Sequence, residues 1–315
     1  MSDISRVTQQ SASLLMVADL QTSLANLTQL QQEAATGKSL NQPSDNPSGT
    51  SEVLNFNVQA GRFQQYASNI TDGQSWLNTA DSALGSVVKT LDQVQTDVLS
   101  GANASASDAT ANQALAQDVL AAKADILGVT GTSYNNRPIF SGTYGTAPYP
   151  QGGASGVSDP TSPSYDPTQA YLYAGSSTPV TRVVSPGQTV NVSLTADQVF
   201  GSGSSSVFAL LDTISQDLAN GNTSALSGSD LSQLQSYMGT VTQAQGTVGE
   251  LGASLASNQN RVTSTLNALQ DQVATVSDAN EAQVITDLDL AQASYQAALE
   301  TTAKIIQPSL AQFLS

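Results

Sequence analysis

The chain has 315 residues, enough for one large domain or two ordinary ones, and only 5% of them are aromatic and 11% charged. Nine basic residues against 25 acidic ones give a formal charge of −16; the nine lie singly along the chain, so no cluster of Lys and Arg can neutralise nucleic-acid phosphates or an anionic membrane surface. With no Cys and no His, disulfides, thiolate nucleophiles and the commonest zinc and iron ligands are removed together.

The N-terminus, MSDISRVTQQSASLLMVADL, lacks a basic stretch followed by a continuous apolar one, so a cleaved secretory signal is not expected. No run reaches the ~18–20 apolar residues of a membrane span. From Val17 the apolar positions fall at Leu20, Leu24, Leu27, Leu30 and Ala34, one narrow face of a helix. Gly37 suits the left-handed position that closes such a helix. In QPSDNP, Asn46 can cap the next helix and Pro47 can take its first position.

The second helix carries the strongest periodicity. Ile70, Leu77, Leu84, Leu91 and Val98 repeat every seventh residue, and Gly73, Ala80, Val87 and Val94 interleave with them. That is a sustained heptad, expected of helices in coiled-coil contact. Running from Pro47 to about Leu99, the helix would be roughly 80 Å long. GANASASDAT (101–110) reads as a break with Asp108 as a possible cap, and a third helix carries Leu115, Val119, Ala122 and Ile126 before NNRPIFSG (135–142) ends it.

Beyond Ser141 the composition turns to Gly, Pro, Ser, Thr and Tyr. AYLYAG (170–175), VTRVV (180–184) and TVNVSL (189–194) read as strands, the last two joined by a tight turn at SPGQ (185–188). GTAPYPQGGASGVSDPTSPSYDP (145–167) reads as an irregular loop. Helical pattern returns at VFALLDTISQDLANG (207–221), breaks near residue 227, and continues through Leu255, Val262, Leu266, Leu269, Val273 and Val276. A last stripe follows at Ile285, Leu288, Tyr295, Leu299 and Ile306.

The expected fold is mainly α: a long antiparallel helical bundle or coiled coil built from the N- and C-terminal segments, with a small β-rich insertion. Its parts would be 1–46, an axial helix and turn; 47–140, a long helical hairpin; 141–203, the insertion; 204–250, a helical return; and 251–315, a C-terminal coiled-coil helix. The outer seams, Val17, Leu20, Leu24, Leu27 and Leu30 with Ile285, Leu288, Tyr295, Leu299 and Ile306, are the candidate intersubunit packing residues. They are expected to become ordered only between subunits, since terminal segments fray unless docked.

Chemistry finds little support. Asp287 and Asp289 would point apart on a helix, without a third ligand nearby. GSGSSS (201–206) lacks the strand, lysine and helix of a phosphate loop. Lys38-Ser39 has nothing to depress the lysine's pKa, and Asp159 and Asp166 complete no site. The N-x-[ST] triplets at Asn26, Asn69, Asn103, Asn191 and Asn222 are what an Asn/Ser/Thr-rich chain yields by chance. Trp76 reads as the cover of a helix–helix seam. No catalytic, metal or cofactor residues are expected, and the chain is not read as an enzyme.

TGKSLNQPSDNPSG, SNITDGQSWLNTADSALGSVVKTLDQVQTDVLSGAN and DLDLAQASYQAALETTAKIIQPSLAQFL together resemble the bacterial flagellin superfamily, and within it the hook–filament junction branch. Filament flagellin is the alternative. Its usual Asp-Asp-Ala-Ala turn is here Ser44-Asp45-Asn46-Pro47, and its usual Arg after paired leucines is missing from the ending SLAQFLS. The resemblance implies a structural flagellar subunit, extracellular, exported unfolded by the type III apparatus with a chaperone. Its implied partners are the first hook-associated protein, flagellin and other copies of itself, with the terminal helices forming the axial core.

Overall fold

The structure is a computed structural model that describes residues 2–103, 109–150 and 170–313. The chain divides into two compact units, residues 63–263 and residues 1–62 with 264–315. Its long helices are α1 (Ser2–Thr36), α2 (Pro47–Asn103), α3 (Ala109–Thr130), α7 (Leu231–Ser277) and α8 (Glu281–Phe313). Between them lie β1 (Ser133–Tyr134), β2 (Arg137–Pro138), β3 (Thr181–Ser185), β4 (Gln188–Asn191), α4 (Ala196–Phe200), α5 (Val207–Ala219) and α6 (Thr223–Ala225). The predicted caps of Asp108 and the residues Asp159 and Asp166 fall outside the described residues.

The 63–263 unit is organised by the α2 heptad. Ile70, Leu77, Leu84, Leu91 and Val98 are buried to within 2% exposure, and the interleaved Ala80, Val87 and Val94 are buried with them. Gly73 fits the pattern for a reason of space: a Cβ there would stand 3.0 Å from Val192 Cγ1 and 3.1 Å from Leu255 Cδ1. Helix α7 answers with its own seven-residue series, Leu234, Val241, Val248, Leu255 and Val262, all buried. Near the end of α2, Gly101 leaves room for Leu218, whose Cδ2 would lie 2.2 Å from any added Cβ.

Helices α3 and α5 pack side by side, burying Val119, Ala122 and Ile126 against Leu211, Ile214 and Leu218. One ion pair is buried in this layer. Lys123 Nζ donates to Asp212 Oδ1 at 2.5 Å and to Tyr171 Oη at 3.1 Å, and Tyr171 Oη donates to Asp212 Oδ2 at 2.9 Å. A small aromatic nest completes the core. Phe208 lies between Tyr149 and Tyr171, with ring centroids 5.1 and 5.2 Å away, and Phe200 joins it to Phe140.

Two antiparallel hairpins sit on α2. In β1–β2 the turn residues Asn135 and Asn136 both have positive φ, 49° and 60°, the geometry that a two-residue hairpin turn demands and Asn tolerates. In β3–β4 the SPGQ turn places Gly187 at φ 74°. Arg182 of β3 pairs with Asp72 at 2.7 Å, and Asn69 donates to the carbonyl of Val183 at 2.9 Å. Trp76 is buried, edge-on to Tyr134, with the guanidiniums of Arg137 and Arg182 each 5.7 Å from its ring centroid. The tryptophan therefore joins both hairpins to the helix.

Three local expectations need correction. Residues 170–175 are not a strand: Ala170 and Tyr171 form a turn with Tyr171 at φ 56°, because the tyrosine is spent on Asp212 and the aromatic nest. The helical pattern does not break near residue 227; a π-helical turn, Leu226–Asp230, leads directly into α7. The C-terminal heptads do not run as one helix, since Asp278–Asn280 separate α7 from α8. Within 141–203 the described strands are β3 and β4 alone, while β1–β2 precedes that range.

Leu84→Ala should lower the stability of this unit by about 2–5 kcal/mol, because it empties a fully buried seam position. Urea unfolding of the full chain measures it. Lys123→Met should cost about 3–5 kcal/mol by stranding the buried Asp212 carboxylate without its cation, and a Lys123→Met/Asp212→Leu double variant should recover most of that.

Candidate assembly surface

The candidate residues lie in the unit of residues 1–62 and 264–315, where α1 and α8 pack along each other. The pairing is antiparallel. Gly37, just past α1, accepts from Ala279 N at 2.9 Å immediately before α8. Toward the other end, Met16, Asp19 and Leu20 line a cleft with Ala297, Ala298, Thr301 and Thr302. On α1 the inward face is Met16, Leu20, Ser23, Leu27 and Leu30; on α8 it is Val284, Leu288, Ala291, Tyr295, Ala298 and Thr302. Both series step by four and three residues, as paired helices require. Only Val284 among them is fully buried; the rest are half-buried.

The turn between α1 and α2 is fixed by its own polar groups. Gly37 has φ 68° and donates to the carbonyl of Glu33 at 2.8 Å, closing α1. Asp45 Oδ2 accepts from the N–H groups of Asn41 and Gln42 at 3.0 and 2.8 Å. Asn46 Oδ1 accepts from Gly49 N at 2.9 Å, the expected cap of α2. Ser39 N and Oγ both donate to the carbonyl of Ser277, tying the turn to the end of α7. This ordered turn forms one wall of a cleft of about 490 Å³ whose other wall is Gln21, Leu24, Ala25, Thr28, Gln29 and Gln32 of α1.

The structure divides the predicted packing residues into two groups. Leu20, Leu27, Leu30, Leu288 and Tyr295 face the α1–α8 seam within the chain. Val17, Leu24, Ile285 and Leu299 stay exposed, at 44, 47, 56 and 44%. The side chain of Ile306 lies outside the described residues. Sequence reasoning missed the small members of the seam, Ser23, Ala291 and Ala298, and the exposed Leu14, Leu15, Leu54, Val58 and Leu290. The four-and-three spacing of alanines in AQASYQAAL held the signal for the first group; nothing in the sequence marks which of two adjacent leucines turns outward.

Reactive chemistry is not assembled here. Asp287 accepts from Gln283 Nε2 at 2.9 Å along the helix surface, and Asp289 is exposed. Among the described residues no group of three or more acids could hold a metal ion, and no helix is long and apolar enough to cross a membrane. The perturbed groups of the other unit are structural. Burial, then the charge of Asp197, pushes Tyr173 up to about 12 and raises Tyr149 further. Burial raises Asp97.

Residues 7–145 match the family described as the bacterial flagellin N-terminal helical region. Flagellins of Listeria monocytogenes and Listeria innocua are each 31% identical over 118 residues, 37% of this chain and 41% of theirs. The chain thus spans about two fifths of the length of these relatives. The fold is shared with solved structures at lower identity. One, from Vibrio parahaemolyticus and provisionally described as a flagellar hook-associated protein, aligns with TM-score 0.65 at 20% identity, covering 74% of this chain and all of that one. The flagellar junction protein FlgL of Legionella pneumophila aligns with TM-score 0.56 at 14% identity over 72% of this chain and 100% of that one. FlgL of Bacillus cereus gives 0.55 at 17%, over 70% and 99%. Residues 7–145 are therefore similar to a flagellin N-terminal helical region, and the fold is similar to those of the solved flagellar proteins.

Proposed function

We propose that the protein is a structural subunit of the bacterial flagellum that joins the hook, through the first hook-associated protein, to the flagellin filament. The observation that carries this reading is the second apolar stripe on the terminal helices. Leu20, Leu27 and Leu30 are used inside the chain, whereas Val17 and Leu24, seven residues apart, and Ile285 and Leu299, fourteen apart, are not. A helix with two apolar seams has contacts for more than one neighbour, and identical copies supplying them in a repeated, non-closing way build a tube. The proposed partners are accordingly other copies of the chain, the first hook-associated protein and flagellin. Export unfolded through the type III apparatus with a chaperone, and residence at the extracellular hook–filament junction, belong to the same reading.

A filament flagellin is the second reading, favoured by the 31% identity to Listeria flagellins. The alignments to the Bacillus cereus FlgL and the Legionella pneumophila junction protein FlgL favour the first, because they take in 99–100% of those chains. Imaging cells that lack the gene separates the two. Hooks without filaments, with flagellin released into the medium, support the junction role; loss of the filament protein itself supports a flagellin; ordinary filaments exclude both.

Leu24→Asp and Ile285→Asp should each change monomer stability by no more than about 1 kcal/mol, since both side chains are about half exposed and the change costs mainly helix propensity, yet abolish motility. Leu27→Asp, on the inner seam, should instead loosen α1 and α8 in the monomer, read as faster hydrogen exchange along both helices.

A further inference from the structure

The unit of residues 1–62 and 264–315 holds an acidic cleft and, well apart from it, an apolar ridge that ends in a cation. The cleft is the one between α1 and the ordered turn, where Leu24, Ala25 and Thr28 face Asn41, Gln42 and Asp45. Asp45 makes it negative. Its Oδ2 accepts from the N–H groups of Asn41 and Gln42, and its Oδ1 accepts from none of the described residues. Glu33 adds a second acid at the edge, accepting from Gln29 of the cleft wall at 3.0 Å. Lys38, in the same turn, does not line the cleft.

The ridge lies on the first turns of α2. Val53, Phe56 and Ala60 are half-buried there and form the helix's inner face. Leu54 and Val58 lie on another face, 60 and 57% exposed, and Arg62 continues it one turn further. Arg62 is exposed and belongs to neither ion pair of the described residues. About 22 Å of helix separates it from Pro47, where the turn ends, so it cannot reach Asp45 of its own chain. The other exposed apolar side chains of the unit stand beside acids instead: Leu15 one turn from Asp19, Ile285 one turn from Glu281 and Asp289, and Leu299 next to Glu300. An acidic cleft repels those stripes and attracts the ridge that ends in Arg62. The lengths also agree, about 12 Å from Leu54 to Arg62 against about 16 Å along α1 from Gln21 to Gln32.

Resting on the reading of the chain as a self-assembling subunit, we propose that the α2 ridge of one copy, Leu54, Val58 and Arg62, seats in the α1–turn cleft of a second copy. The two aliphatic side chains cover Leu24, Ala25 and Thr28, and the guanidinium of Arg62 pairs with the carboxylate of Asp45. Ridge and cleft are different surfaces of one chain. The contact is therefore heterologous, and each pair of copies still offers a free ridge at one end and a free cleft at the other.

Sedimentation velocity of the full chain tests this. Arg62→Glu removes the cation of the ridge, and Thr28→Arg places a cation in the cleft. Both positions are exposed and helical, so the monomer keeps its fold. Each variant alone should self-associate about tenfold or more weakly than the wild type. A one-to-one mixture of the two should regain association, because the intact ridge of one meets the intact cleft of the other. The double variant Arg62→Glu/Thr28→Arg should regain it through the exchanged charges. Single variants that associate like the wild type overturn the proposal, as does a mixture that stays monomeric or a wild-type chain still monomeric at about 1 mM. The flagellar reading fails separately, on ordinary filaments in cells that lack the gene; lost filaments there, with single variants that associate normally, would strike this docking alone.

Discussion

A helix that buries one residue in every three and a half must find another helix to lie against, and this constraint governs the whole chain. With so few aromatic residues, it builds its core from single rows of aliphatic side chains. The five α2 positions from Ile70 to Val98 each gain roughly 1.5–3 kcal/mol on full burial, together of the same order as the net stability of a whole domain. That row needs cover along its length, and α7, α5 and the segment that follows β4 provide it at Leu255, Leu218 and Val192. Small residues set how near the cover comes. Gly73 and Gly101 mark the two places where a side chain from across the seam occupies the space of a missing Cβ.

The terminal pair obeys the same rule with less to work with. Its inner seam includes Ser23, Ala291, Ala298 and Thr302, and all but one of its members are only half-buried. Ordering a helical residue costs about 1–2 kcal/mol of backbone entropy, which half-buried leucines every third or fourth position offset poorly. The outer stripe at Val17, Leu24, Ile285 and Leu299 is the reserve: apolar area already paid for in helix formation and still in contact with water. Covering it with another subunit adds burial without ordering any further backbone. The thin seams of the monomer and the association proposed for it thus share one origin in the sequence.

The sequence showed the parts of this that repeat. Every heptad position read in α2 is buried, Gly37 and Asn46 close and open the helices where their chemistry predicts, and the SPGQ turn joins the strands it should. What it concealed depends on tertiary choice. AYLYAG alternates like a strand, but Tyr171 turns inward to Asp212, a partner 41 residues away. Gly and Ser near residue 227 predict a stop, but a π-helical turn absorbs them. On the candidate surface, periodicity located the apolar faces of α1 and α8 but could not apportion them. Leu20 and Leu24 are equally good seam residues by spacing, and only the rotation of α1 about α8 separates the covered one from the exposed one.

Regular seams also carry an ambiguity that the hydrophobic effect cannot resolve. Sliding α2 by one heptad, about 10.5 Å, would place each leucine or valine opposite an equivalent hole, opposed within the apolar seam only by the close approaches at Gly73 and Gly101. The directional contacts do not survive such a slip. Asp72 would leave Arg182, Asn69 would leave the carbonyl of Val183, and Trp76 would leave the two guanidiniums that approach its ring. Arg261 Nη2, donating to Gln188 Oε1 at 2.9 Å, fixes α7 against the same hairpin. These contacts sit within two turns of α2, while most of that helix's seam is purely apolar. The hairpins therefore serve less as a core of their own than as the teeth that choose one register among several the seams would accept. An error of one heptad there would carry through α2, so a small β element, together with the close approaches at Gly73 and Gly101, fixes which neighbour each ridge of that helix meets.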